Sequence, residues 1–303
     1  PLADARAGLN DTPRNNELKK HGPYYTQALQ SFEVNLKNFR KRYNDAIEAA
    51  IADGAWDRLY GGTAWMTTNG GISTTMDLVT HETGARMLWA AGFDGTGVDV
   101  ALIDSGVAPV YGFTEPGKLL NGPDLSFDSQ ADNLRYIDGF GHGTHMATAI
   151  NAYDPGAITP FGDPTPLRGM APGARLVNMK AGAADGAVDV SQVIAALDWI
   201  VQYGQSDGMN IRVVNLSFGT HTMQDYRLDP LAYAAEQAWH HGIVVVVAAG
   251  NDGNGTIVRN PAIDPYVITV GSVDSDGSYE TVDPVSTFTN CTADRPVDVL
   301  APG

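Results

Sequence analysis

The sequence predicts an α/β protein built on a doubly wound parallel sheet and preceded by a helical extension. Two observations carry the sheet. Short runs rich in Val, Ile and Leu recur between Val98 and Gly271, predominantly apolar as strands covered on both faces are. Stretches of helical period lie between them, and β-α alternation of this kind builds a parallel sheet. A third observation, a break in charge near residue 60, separates the extension. Residues 1–60 hold nine Lys or Arg against eight Asp or Glu, whereas residues 61–303 hold ten against 27. Breakers at Gly61-Gly62 and Asn69-Gly70-Gly71 fall at the same place. The expected domains are a helical extension over 1–70 and an α/β domain over 71–303.

In the extension, Phe32, Leu36, Phe39, Tyr43, Ile47 and Ile51 recur every three or four residues and mark one helical face. Gly54 is placed to end that helix. Its other face carries Lys37, Arg40, Lys41 and Arg42, interrupted by Glu33, Asp45 and Glu48. The interruption favours a solvated face over a membrane-surface helix.

The strands expected in the α/β domain are Val98–Ile103, Arg175–Lys180, Ile211–Leu216, Ile243–Ala249 and Val267–Gly271. A helix is expected over Val190–Tyr203, with Val193, Ile194, Leu197, Ile200 and Val201 on its apolar face. A second starts at Pro230, suited to a first helical turn, and runs to about His241, where Gly242 stops it. A third covers Gly143–Asn151.

Composition removes several function classes. Apolar residues make up 43% and charged residues 18% of 303, enough for a core and too little charge for a disordered chain. A net charge of −16 opposes nucleic-acid binding, because no basic stripe is available for phosphates. The longest apolar run, Ile243–Ala249, is seven residues, so no membrane span is expected. The single cysteine, Cys291, excludes an intrachain disulfide framework and a cysteine zinc site. Pro1–Asn10 has no apolar stretch of signal-peptide type, so any export signal is expected to have been removed.

In an open parallel sheet, ligands sit beyond the carboxyl ends of the strands. The residues there are Asp104-Ser105-Gly106, Ser217-Phe218-Gly219 and Ala248-Ala249-Gly250-Asn251, with Gly141-His142-Gly143-Thr144-His145 opening a helix. Alone, Asp104 reads as well as a turn residue. His142 and His145 with Asp104 offer a metal set on paper, a reading set aside only by the resemblance given below, whose triad pattern already uses Asp104 and His142. His145 is then a packed, hydrogen-bonded histidine. His240 and His241 read as the polar end of a helix, Phe218 alone as a core residue, and Cys291 as a small packed residue.

Taken in order, Asp104-Ser-Gly, His142-Gly-Thr-His, Asn215-Leu-Ser217-Phe-Gly219, Ala249-Gly-Asn251 and Asp298-Val-Leu-Ala-Pro-Gly303 resemble the motif series of the subtilisin-like serine proteases, the subtilases. The resemblance covers about residues 72–303. It implies a subtilisin-like sheet and a serine endopeptidase that hydrolyses peptide bonds by acyl transfer. It implies Asp104 as the carboxylate that orients the imidazole, His142 as general base and then acid, and Asn251 as oxyanion donor. It also implies Ser217, Phe218 and Gly219 as an edge for an extended peptide, and Ala248, Ala249 and Gly250 as a pocket wall. Arg259, beside Asn260-Pro261, falls near the pocket base and would favour acidic or polar side chains. At the start of its helix, His142 meets two opposed influences: the helix dipole favours the neutral ring, Asp104 the cation.

None of the twelve serines (31, 73, 105, 126, 129, 191, 206, 217, 272, 275, 278 and 286) lies in a Gly-Thr-Ser or Gly-x-Ser-x-Gly context. The fold is therefore expected to be incomplete at its C-terminal side, with the nucleophile beyond residue 303 or on another chain. A naturally truncated pseudoprotease that binds peptides is the alternative. The expected partner is a polypeptide substrate. No cofactor is needed for the chemistry, and structural calcium is expected at most in acidic loops such as Asp274–Gly277; no metal ligand is assigned. An extracellular location follows from the resemblance, the acidic charge and the sparse lysines.

Overall fold

A computed structural model describes residues 76, 79–80, 83–110, 112–154, 167–220, 224–251, 258–273 and 297–302. The chain divides between Leu59 and Tyr60, and all described residues belong to the second unit. The extension expected over residues 1–70, the Asp274–Gly277 loop and Cys291 lie outside them.

Hydrogen bonding joins seven strands into one parallel sheet. In chain order they are β1 (Asp99–Asp104), β2 (Leu119–Asn121), β5 (Arg175–Lys180), β6 (Ile211–Leu216), β7 (Val244–Ala248), β8 (Ile268–Val273) and β9 (Val299–Pro302). Across the sheet they run β2-β5-β1-β6-β7-β8-β9. The short β3 (Tyr153–Asp154) and β4 (Leu167–Arg168) pair antiparallel apart from it. From β1 the chain winds one way to β2 and β5 and the other way to β6 and its successors. The end of β1 is thus the switch point, where open α/β sheets hold their ligands.

Successive side chains of a strand point to opposite faces, so each strand feeds two cores. Ala101 and Ile103 of β1 join Val177, Met179, Val214, Leu216, Val245 and Val247 on one face. Helices α3 (Val190–Tyr203) and α4 (Pro230–His240) cover that face. They supply Val193, Leu197, Ile200, Leu231 and Ala235. Full burial of a side chain such as Leu197 contributes roughly 1.5–3 kcal/mol. Val100 and Leu102 point the other way, onto Leu176 and Ala147 of α2 (His142–Asn151). All six residues of β1 are buried, which explains the apolar Val100–Ile103 between its two aspartates.

The helix ends follow local chemistry. Asp189 and Gln192 form a reciprocal capping box at the start of α3. The Asp229 carboxylate accepts from the Leu231 and Ala232 amides, with Pro230 opening α4. Gly242, at φ 78°, ends α4 in a conformation that other residues adopt at a cost. The sequence reading does not place α1 (Ala85–Ala90), β2, β3, β4 or β9, each six residues or shorter. Among the described residues no helix is long and apolar enough to cross a membrane.

Candidate active site

Strand register brings the motif-bearing turns to one edge. Asp104 pairs with Lys180, Ile103 with Leu216, and Leu216 with Val247. The segments after β1, β6 and β7 therefore leave the sheet side by side. Asp104 ends β1 with its side chain 2% exposed. Its Oδ1 accepts from the Ser105 amide at 2.8 Å.

His142 is the first residue of α2, and packing of α2 on β1 carries it to Asp104 across 38 residues of chain. Its Nδ1 lies 2.8 Å from Asp104 Oδ1 and 2.9 Å from Oδ2. A carboxylate only accepts, so Nδ1 carries the hydrogen and Nε2 is left as the basic nitrogen. The His142 side chain is 40% exposed, so the ring rests on a buried acid and still reaches solvent.

The imidazole pKa is raised above its ordinary 6.5. The hydrogen bond to Asp104 is the largest cause; partial burial opposes it, and the charges of Asp104 and Asp138 add to it.

Gly143 follows His142 because nothing larger fits. A Cβ there would lie 2.1 Å from the Gly106 carbonyl oxygen and 3.1 Å from Asp104 Oδ1. Gly106, at φ 107°, turns the chain out of β1, and a Cβ on it would meet the Tyr136 carbonyl oxygen at 2.8 Å.

Ser217, Phe218 and Gly219 follow β6. Asn215 Nδ2 donates to Ser217 Oγ at 3.1 Å, Phe218 packs against the larger core, and Gly219 is exposed. The Thr220 amide donates to the Asn260 carbonyl at 2.9 Å. That bond ties the Val258–Asn260 segment, with half-buried Arg259, to the Gly219 edge. The Asn260–Pro261 bond is cis. Ala248, the last residue of β7, is exposed, and Ala249 just after it is buried with its amide on the Val270 carbonyl at 2.9 Å. Gly250 turns at φ 111°, and Asn251 is exposed just beyond it.

One expectation needs correction. His145, expected as a packed histidine, is exposed: it lies one turn along α2 from His142, on a side that neither Asp104 nor the sheet covers. Among the described residues no three His, Cys, Asp or Glu gather as a metal set.

The sequence reading missed Asp138. Its carboxylate accepts from the Gly141 amide at 2.7 Å, the Thr144 amide at 2.7 Å and Ser105 Oγ at 2.9 Å. Burial pushes its pKa up, but these bonds and one from the Thr144 hydroxyl outweigh it and leave the pKa lowered. An acid just before a helix whose N-cap is glycine was the available signal, since such an acid satisfies first-turn amides.

Comparison with known proteins agrees with this geometry. Residues 95–303 match the model of a family described as the Subtilase family. The chain is 30% identical over 245 residues to serine protease AprX of Bacillus subtilis (strain 168), covering 77% of this chain and 52% of that protein. It is 30% identical over 187 residues to the minor extracellular protease Epr of the same organism, covering 62% of this chain and 25% of that protein. The chain thus spans about half or less of the length of these relatives. A cold adapted subtilisin-like serine proteinase of known crystal structure matches with a TM-score of 0.53 and 29% identity, covering 70% of this chain and 64% of that one.

Proposed function

The chain belongs to the subtilase family of serine proteases, and on that premise we propose that it forms the Asp-His part of a serine endopeptidase site, with Asp104, His142 and Asn251 as its catalytic residues. The observation that carries the proposal is His142 Nδ1 held between both oxygens of buried Asp104. That bond fixes the tautomer in which Nε2 takes a proton. In the proposed reaction a serine Oγ attacks the scissile carbonyl carbon and its proton passes to Nε2. The carbonyl oxygen becomes an oxyanion and accepts a hydrogen bond from the Asn251 side-chain amide. His142 then protonates the leaving amine as the C–N bond breaks. Water repeats the sequence on the acyl-enzyme. Every group in this scheme is a protein group or water, and no cofactor is called for.

The substrate is a polypeptide in extended form along Ser217, Phe218 and Gly219. Ala248, Ala249 and Gly250 wall the pocket for the residue before the scissile bond. Arg259 gives that pocket a preference for acidic side chains. The bond from Thr220 to Asn260, which draws Arg259 toward the Gly219 edge, supports this.

The nucleophile is a serine outside residues 1–303, in the same protein or on a partner chain. Ser105 supports this reading: although it adjoins Asp104, its hydroxyl is committed to the Asp138 carboxylate at 2.9 Å and to the Gly143 amide at 3.0 Å. An extracellular location is proposed on the likeness to an extracellular Bacillus protease and on the net charge of −16.

A fluorophosphonate probe tests the proposal in the protein carrying all the sequence its gene encodes. One serine should be labelled, and the His142→Ala variant should label at least about 10³-fold more slowly. Absence of labelling at every pH from about 6 to about 10, or labelling indifferent to His142→Ala, would overturn it. A folded protein that still bound peptides without labelling would instead be a pseudoprotease.

A further inference from the structure

We propose that Asp138 is a positioning residue of the site: its carboxylate fixes the helical turn that carries His142 and, through Ser105, the turn that carries Asp104. The inference rests on the catalytic reading of His142 and adds a residue to it.

Helix α2 begins at a glycine, so no N-cap side chain is present to take its first amides. Asp138, three residues before Gly141, does that work from outside. Its Oδ1 accepts from the Phe140 amide at 3.0 Å, the Gly141 amide at 2.7 Å and Ser105 Oγ at 2.9 Å. Its Oδ2 accepts from the Thr144 amide and the Thr144 hydroxyl, both at 2.7 Å. Five donors on two oxygens leave the carboxylate little freedom. His142 lies between Gly141 and Thr144, so the backbone on either side of it is anchored to the same group.

Ser105 joins the two acids. Its hydroxyl has one hydrogen and two carboxylates in range, Asp138 Oδ1 at 2.9 Å and Asp104 Oδ1 at 3.3 Å. The shorter contact takes the hydrogen, and the Ser105 oxygen then accepts from the Gly143 amide at 3.0 Å. Asp104 keeps its lone pairs for the Ser105 amide and His142 Nδ1. The two carboxylates thus meet the imidazole helix from two sides, with Ser105 between them.

The segment before Asp138 is itself clamped to the sheet. Fully buried Lys180 of β5 donates to the Leu134 and Ile137 carbonyls, both at 2.8 Å. Asn178 Nδ2 donates to the Tyr136 carbonyl at 2.9 Å, and the Tyr136 amide donates to Asp124 Oδ2 at 2.8 Å. The chain of contacts therefore runs from β5 through residues 134–137 to Asp138, and from there to both members of the Asp104–His142 pair. A support of this kind makes geometry rigid before substrate arrives.

The charged groups acting on His142 are Asp104 and Asp138, and both favour the imidazolium. Removing the charge of Asp138 should lower the pH at which His142 titrates. Loosening the turn should expose the Nδ1 hydrogen to exchange.

The test is NMR of Asp138→Asn, following the His142 ring titration and the Nδ1–H resonance, each assigned with His142→Ala. Expected are a titration at lower pH than wild type, a weakened or faster-exchanging Nδ1–H signal, and a fall of about 10²-fold in kcat with KM within about twofold. Asp189→Ala, which removes an exposed cap on α3, is the control: it should lower Tm and leave His142 unmoved. An Asp138→Asn variant that loses stability like the control while both His142 signals stay at wild-type positions overturns the proposal. If Asp138→Asn fails to fold, Ser105→Ala decides through the Nδ1–H signal alone: with the Asp138 charge kept, a weakened or faster-exchanging signal is expected, and a wild-type signal overturns the proposal. The NMR signals need no turnover, so hydrolysis that survives His142→Ala would overturn the catalytic reading while leaving the hold of Asp138 on His142 measurable.

Discussion

Replacing Asp104 by Asn changes one atom and should remove most of the activity. The reason lies in which oxygen is committed. Asp104 Oδ1 accepts from the Ser105 backbone amide at 2.8 Å, a donor that cannot turn away. An asparagine at 104 must keep its carbonyl oxygen there, which places its NH2 group at the Oδ2 position, 2.9 Å from His142 Nδ1. Two N–H groups cannot face each other at that distance, so Nδ1 becomes an acceptor and the ring hydrogen moves to Nε2. The nitrogen that should take the serine proton then already holds one. The same substitution in a serine-protease triad costs about 10⁴-fold in kcat, or about 5.4 kcal/mol of transition-state stabilisation. The assay is hydrolysis of a peptide anilide by the full protein, with circular dichroism to show that the fold is kept. The Nδ1–H resonance should disappear together with the activity. A folded Asp104→Asn variant within about tenfold of wild type would refute the reasoning.

Three further outcomes follow from the same coordinates. His142 has a folded-state pKa above 6.5, so its pairing with Asp104 stabilises fully below 6.5 and loses that effect as pH rises through the folded value. The Tm gap between wild type and His142→Ala should therefore narrow from about pH 6 to about pH 9, while kcat/KM rises over the same range because the base must be neutral. Gly143→Ala forces a Cβ to within 2.1 Å of the Gly106 carbonyl oxygen; urea unfolding should show a loss of about 3 kcal/mol or more. Arg259→Ala should lower kcat/KM for peptides with glutamate before the scissile bond by roughly tenfold relative to uncharged ones, about 1.4 kcal/mol; an unchanged ratio in a peptide-library assay would remove Arg259 from the pocket.

The legible parts of this protein are those whose information is local. The run Val98–Ile103 reads as a strand because a parallel strand buried on both faces is predominantly apolar, and β1 is buried at every position, its two aspartates at the ends. Pro230 and Gly242 mark the ends of α4 because each has backbone restrictions or freedoms of its own. Motifs at strand ends were readable for the same reason: Asp104-Ser-Gly and His142-Gly-Thr-His pair a reactive side chain with glycines that a close approach requires, as the contacts of Gly106 and Gly143 bear out.

What stayed hidden depends on partners distant in the chain. Strands β2 and β9 have three and four residues, too few for a period, and exist because β5 and β8 offer free edges. Asp138 looked like one acid among many; it became part of the site only when Ser105, Gly141 and Thr144 converged on it. The amino-acid order determined that a carboxylate and an imidazole, 38 residues apart, are available at the ends of an apolar strand and a helix. Only tertiary packing decided that they meet at 2.8 Å and which nitrogen stays basic. It also raised the ring's pKa, because those quantities are set by distance and burial, and neither is written in any short stretch of chain.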